Sequence, residues 1–189
     1  MLPAMIENVE LSKAYRLLNH GPVVLVSSAH SGERNVMTAS WCMPLDFDPP
    51  KIVIVIDKNS YTRALIEASG EFVLNIPCRQ IASQTLAAGS RSGRDGDKFE
   101  VTGLVPRASQ VVKAPSVEGC AGWLECRLIP EPHNQASYDL LIAEVVAASA
   151  DTAAFKDGRW VFEDENLRTL HYVAGGNFLL TGEALESQS

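Results

Sequence analysis

Two short stretches contain the residue types that suit a phosphate monoester. The first is Lys58-Asn59-Ser60-Tyr61-Thr62-Arg63, which follows a β-branched run ending at Asp57. Tyr61, Ala64, Leu65 and Ala68 then recur at helical spacing over Ser60–Ser69, with Gly70 just beyond. Ser60 is therefore placed to cap a helix. The first amide N–H groups of a helix lack partners within it, and its dipole favours an anion at that end. Two hydroxyls, Ser60 and Thr62, share the first turn, and Lys58 and Arg63 flank them. The same residues also describe a plain capped helix, so the stretch is suggestive only in company.

That company is the loop Ser90-Arg91-Ser92-Gly93-Arg94-Asp95-Gly96-Asp97-Lys98-Phe99. Three cations and two hydroxyls sit there among glycines that let backbone approach a ligand. Residues 58–98 hold six Lys/Arg against four Asp/Glu, a net +2, whereas the rest of the chain holds ten against nineteen, a net −9. An acidic chain that gathers its cations in two segments has the means to surround an anion. A solvated charged loop is the competing reading. A third stretch, Asn35-Val36-Met37-Thr38-Ala39-Ser40-Trp41, reads as a strand with Asn35, Met37, Ala39 and Trp41 on one side. It offers apolar surface together with hydrogen-bonding groups. A mixed face on an ordinary barrel strand has the same pattern.

The elements that position these stretches are mostly short strands. Glu10–Asn19 reads as an amphipathic helix through Leu11, Ala14, Tyr15 and Leu18, stopped by Gly21-Pro22, so residues 1–21 form an N-terminal helical segment. Pro22–Ser28, Asn35–Trp41, Ile52–Asp57 and Phe72–Ile76 read as strands, with turns at His30–Arg34 and at Asp48-Pro49-Pro50. Arg79–Ala88 reads as a short helix and Gly89–Gly103 as a long polar loop. Trp123–Ile129 and Tyr138–Ala147 pair across a Pro/His/Asn turn, and Arg159–Phe162 adds a strand after Asp157-Gly158. The tail 164–189 reads as irregular, with 183–189 frayed. No linker or repeat divides residues 1–189, which predicts one mainly β domain with helices packed outside a closed barrel.

Composition narrows the function classes. The chain has 189 residues, 46% hydrophobic and 21% charged, with a net charge of −7. That balance argues against a nucleic-acid partner or an anionic membrane surface, both of which need basic faces. No apolar run reaches membrane-span length and no secretory signal opens the chain, so the expected location is cytoplasmic. Cys42, Cys78, Cys120 and Cys126 form no CxxC pair and have no His at ligand spacing, which predicts free thiols and no metal, with Cys120 and Cys126 read as barrel residues. The glycine spacing of a Rossmann turn is absent, as are the P-loop, HExxH and GxSxG patterns.

Taken in order, Asn-Val-Met-Thr-Ala-Ser-Trp (35–41), Pro-Pro-Lys (49–51), Lys-Asn-Ser-Tyr-Thr (58–62), Phe-Val-Leu-Asn-Ile-Pro (72–77) and Ser-Gly-Arg-Asp-Gly-Asp-Lys-Phe (92–99) resemble the flavin reductase-like family, within it the flavoredoxin branch. The likeness continues through Leu124-Glu125-Cys126 and Ile142–Val145 to Leu170-His171-Tyr172. The tail reads Ala174-Gly175-Gly176 where the family has a longer glycine run.

The resemblance implies an FMN-binding split β-barrel of Greek-key type, a homodimer with flavin near the interface. By position, Asn35, Val36, Met37, Thr38, Ala39, Ser40 and Trp41 would line the flavin ring. Ser60 and Thr62, with Lys58 and Tyr61 beside them, would hold the phosphate, helped by Ser92, Gly93, Arg94 and Lys98. Asn75, Ile76 and Pro77 would pack near the ring or ribityl chain, and His171 and Tyr172 would shape access to it. No catalytic acid or base is implied, because FMN itself does the electron chemistry. Two activities follow as expectations: an NAD(P)H-dependent flavin reductase drawing on NADH or NADPH, or a non-enzymatic flavoredoxin-type electron carrier serving a redox partner protein. A barrel for another phosphorylated ligand, such as a pyridoxal phosphate, is the third.

Overall fold

The computed structural model describes residues 21–185. The helix expected over 10–19 and the last four residues lie outside them. Seven strands form one antiparallel sheet: β1 (Val24–His30), β2 (Glu33–Ala39), β3 (Cys42–Phe47), β4 (Pro50–Val55), β5 (Glu71–Ile76), β8 (Gly122–Ile129) and β9 (Leu140–Ala150), in the spatial order β2-β1-β5-β8-β9-β4-β3. Two short pairs stand beside it: β6 (Pro106–Arg107) with β7 (Ser116–Val117), and β10 (Phe155–Lys156) with β11 (Arg159–Trp160). The β1–β2 turn is tight because Ser31 and Gly32 both take positive φ, 51° and 87°. The β3–β4 turn carries a cis Asp48-Pro49 bond.

Side-chain alternation divides the interior in two. Val24 and Val26, Ile52 and Ile54, Phe72 and Leu74, Cys126, and Leu141 and Ala143 meet on the concave face, joined by Ile66 of helix α1 (Tyr61–Ser69). Leu25, Val73 and Trp123 point the other way. There they meet Ala88 of α2 (Ala82–Gly89), Phe99 of α3 (Lys98–Thr102), and Leu104, Val112, Ala114 and Val117 of the segment before β8. Burying each large apolar side chain contributes about 1.5–3 kcal/mol. The curled sheet is thus closed inside by its own side chains and covered outside by the two helices that flank the charged loop.

Two buried polar groups tie that outer covering to the sheet. Asn75 Nδ2 donates to Leu25 O at 2.8 Å and Ser27 Oγ at 2.9 Å, and its Oδ1 accepts from Val117 N at 2.7 Å. Glu125, 3% exposed, accepts from the amides of Gln110, Val111 and Val112 at 2.7, 2.6 and 3.0 Å. Burial works to raise its pKa, but those three N–H donors, with Arg107 nearby, hold the carboxyl below its usual range.

Four expectations are corrected. The run 89–103 is not all loop: Asp97 caps α3 by accepting from Phe99 N at 2.8 Å, and Phe99 is buried. The Pro/His/Asn turn is helix α4 (Pro132–Tyr138), begun by a proline and ended by Asp139 at φ 54°. The tail from 164 is not irregular. It holds the hairpin β12 (Leu170–Ala174) and β13 (Asn177–Leu180), whose Gly175-Gly176 turn has φ of 60° and 82°. Cys120 sits in the turn before β8 and not on a barrel strand. Among the described residues all four cysteines are free, no residue cluster suits a metal, and no helix is long and apolar enough to cross a membrane.

The Glu125 carboxylate gives a stability test. Glu125→Gln should destabilise the fold by about 1–3 kcal/mol at pH 7, since an amide can accept only through one oxygen. Because the folded pKa is lowered, this stabilisation is present above the ordinary value of 4.5 and fades as pH falls below it. Denaturant titrations at pH 7 and pH 4 should show the gap between variant and wild type narrowing at the lower pH.

Candidate functional site

The N-terminus of α1 meets β2 at Asn35. Asn35 and Thr62 are 2% and 1% exposed, and Asn35 Nδ2 donates to Thr62 Oγ1 at 2.7 Å. Ser60 caps the helix as its sequence predicts, accepting from Arg63 N at 3.2 Å. Arg63 turns away from this end: it donates to Glu67 Oε1, Ile56 O and Gln135 O at 2.7, 2.8 and 3.0 Å, locking α1 against α4. Lys58 is exposed and off the cavity wall, while its neighbours Asp57 and Asn59 line it.

The charged loop closes over the same point. Arg34 of β2 pairs with Asp97 at 2.7 Å and lies over the Phe99 ring at 5.2 Å, fixing the start of α3. Lys98 is thereby turned inward and is 3% exposed. Among the described residues no carboxylate or carbonyl pairs with its ammonium, and burial pushes its pKa down to about 8. Arg94 donates to Asn59 O at 2.9 Å and covers the Tyr61 ring at 5.7 Å, and Ser92 Oγ accepts from Arg94 N at 3.2 Å. Gly93 admits no side chain: a Cβ there would fall on Asn35 Oδ1 and 2.7 Å from Tyr61 Cδ1.

These groups enclose a cavity of about 310 Å³, with Ser60, Thr62, Ser92, Arg91 and Lys98 on one side and Met37 and Thr38 on the other. A second cavity of about 220 Å³ continues from it, since Thr38 and Gly89 line both. Its walls are Ala39 and Ser40 at the end of β2, Thr85, Leu86 and Ser90 from α2 and its end, and Tyr172 and Phe178, whose rings lie 5.7 Å apart. The two together fall in the range of small-ligand sites, roughly 300–1,000 Å³. One end is cationic and rich in hydroxyls; the other is more apolar.

The structure therefore brings together Asn35, Met37, Thr38, Ala39, Ser40, Ser60, Tyr61, Thr62, Ser92, Gly93, Arg94, Lys98 and Tyr172. Val36 instead points into the outer core, and Trp41 is half exposed beyond the end of β2. Asn75 does not reach the cavity, because its amide is consumed in the network joining β1, β5 and Val117. Ile76 lines a separate apolar recess beside Gly122 and Trp160, and Pro77 is buried next to it in sequence. His171 bridges Pro22 through its main chain, on the opposite side of β12 from Tyr172, and is not on the cavity wall. Arg91, Leu86, Gly89 and Phe178 are wall residues that the sequence does not single out. For Arg91 the signal was present, in its place within the charged loop. The helix face and the β13 residue become neighbours only through folding. The thiols offer no nucleophile, since burial pushes Cys42 up to about 11 and Cys126 up to about 12.

Comparison with known proteins agrees with this geometry. The family described as flavin reductase like domain matches residues 16–174. The chain is 47% identical over 178 residues to the Escherichia coli protein YddH, covering 93% of this chain and 94% of that one. Its structure is similar to that of an FMN-binding domain of a flavin reductases-like enzyme from Shewanella baltica, at 48% identity and a TM-score of 0.86, covering 95% and 96% of the two chains. It is also similar to flavoredoxin of Desulfovibrio vulgaris, at 26% identity and a TM-score of 0.78, covering 88% and 90%. The curled sheet is accordingly the split barrel of these proteins, and the chain belongs to the flavin reductase-like family.

Proposed function

We propose that the protein binds FMN, phosphate end against Thr62 and Lys98 and ring end along Thr38–Ser40 toward Tyr172, and passes electrons from a nicotinamide nucleotide through it. The observation that carries this reading is the Lys98 ammonium, nearly sealed from water on a cavity wall with no anionic partner among the described residues. A buried unpaired charge costs several kcal/mol, and a bound anion offsets that cost. The residues fit a phosphate monoester carried on a longer, flatter group. Gly93 lets the loop close on Asn35, the hydroxyls and the helix N-terminus supply donors, and the neighbouring cavity supplies the apolar wall. The Shewanella relative is itself described as an FMN-binding domain.

Bound FMN would supply the hydride and one-electron chemistry. The chain's own work is to hold and shield it. Arg34 and Asp97 fix the loop, Arg94 stacked on Tyr61 walls the phosphate end, and Tyr172 with Phe178 narrows the entrance to the ring end. No side chain need move a proton. The likeness to flavoredoxin supports a second reading, a carrier that keeps its flavin and exchanges electrons with a partner protein.

A homodimer is part of the same proposal. Edge strand β3 and the residue before it expose Trp41, Met43, Leu45 and Phe47 at 50, 58, 47 and 93%. So much apolar surface on an edge strand invites a partner, and a second copy would cover it next to the ring end of the site.

Four outcomes test these statements. FMN affinity of the wild type should be level between about pH 6, below which the phosphate monoester takes up a proton, and about pH 8, above which it should weaken as Lys98 loses its proton; Lys98→Met should bind roughly 10–100-fold more weakly at pH 7 and lack the upper inflection. Without flavin the sign reverses. The folded pKa lies below the ordinary 10.5, so the free protein should gain stability between about pH 8 and 10.5, and Lys98→Met should remove that gain. Anaerobic mixing with NADH or NADPH should bleach the flavin absorbance at a catalytic rate; bleaching by neither nucleotide would favour the carrier. In sedimentation, the wild type should run as a dimer and Leu45→Arg with Phe47→Arg as a monomer.

A further inference from the structure

We infer that Asn35 is a positioning residue that sets the hydrogen-bond polarity of the phosphate end, leaving the Thr62 hydroxyl hydrogen free to be given to the phosphate. The inference rests on the phosphate reading above. Of the five hydroxyl side chains on the cavity wall, Thr38 donates to Thr85 O and Tyr61 to Glu33 Oε2, while the other three oxygens each accept from an N–H: Ser60 from Arg63 N at 3.2 Å, Ser92 from Arg94 N at 3.2 Å, and Thr62 from Asn35 Nδ2 at 2.7 Å. A hydroxyl has one hydrogen to give. Among the described residues none of the three gives it to the protein, so all three hydrogens are left for a ligand. Lys98 adds an ammonium, which can only donate.

Ser60 and Ser92 have their polarity set by main-chain amides, which no side-chain change removes. Thr62 depends on Asn35 alone. Several contacts hold Asn35 in place. It is 2% exposed, stands on β2 opposite Ser28 of β1, and its Oδ1 packs where Gly93 leaves no room for a side chain. Its Oδ1 has no hydrogen-bond partner, and among the described residues the bond from Nδ2 to Thr62 is the one its side chain makes. A carboxylate in the same place could only accept, and would draw the Thr62 hydrogen away from the ligand.

The test is a double-variant cycle on the full chain, with FMN and riboflavin as the two probes, read by quenching of flavin fluorescence. Riboflavin lacks the phosphate, so its affinity reports the ring end and the integrity of the fold. Asn35→Asp should lower the FMN-to-riboflavin affinity ratio by more than about tenfold, riboflavin affinity being the reference for the ring end. Part of that loss is repulsion by the new charge, and Asn35→Asp in a Thr62→Val background measures that part. The loss with Thr62 present should exceed it by at least about fivefold, the coupling expected of residues in direct contact. Equal losses in the two backgrounds, with the wild-type preference for FMN intact, would overturn the role of Asn35 alone. A wild type that binds riboflavin as tightly as FMN would overturn the phosphate reading together with it. If Asn35→Asp fails to bind riboflavin, Asn35→Leu replaces it in the cycle, with a smaller coupled loss of about threefold supporting the role and none opposing it.

Discussion

An ammonium group withdrawn from water needs an anion, and this chain places Lys98 where the described residues offer none. The consequences run outward from that one side chain. Desolvation lowers its pKa to about 8, so the free protein holds the proton more weakly, and a dianion bound there would restore it. Placing the lysine there requires α3 to start at Asp97. That in turn requires the cap on Phe99, the pairing of Asp97 with Arg34, and the seating of Phe99 in the outer core. Loop, strand and helix are fixed by the same few contacts that aim the charge.

The barrel serves this arrangement by keeping two faces apart. Its concave side is filled by aliphatic side chains, Phe72 and Cys126. The two joined cavities lie instead at the seam where α1, β2 and α2 converge. Asn75 and Glu125, polar and buried, hold the 104–120 segment on the convex face and so complete the covering over which α2 and α3 lie. Their roles are structural, and each is fully hydrogen-bonded within the protein.

The grouping of residues at the proposed phosphate end was legible in the sequence because they lie in two contiguous stretches with cap and turn chemistry that survives without tertiary context. Ser60, Gly70 and the glycine-bearing cation loop belong to that class. The family likeness added the ring end. What remained hidden was set by contacts distant along the chain. Asn75 sits in a motif that reads as a ligand neighbour, yet its strand alternation turns it toward Ser27 and Val117. The β12–β13 hairpin was missed although Gly175-Gly176 marked its turn, because the strands on either side are only five and four residues long. Lys98 looked like one loop cation among three; the helix that buries it was concealed by the polar residues around it.

A crystal structure of the protein grown with FMN addresses the central claim most directly. Phosphate oxygens should lie within about 2.7–3.2 Å of both Lys98 Nζ and Thr62 Oγ1, with the ring extending past Thr38 toward Tyr172. A flavin whose phosphate lies elsewhere, leaving Lys98 without an anion, would contradict the claim.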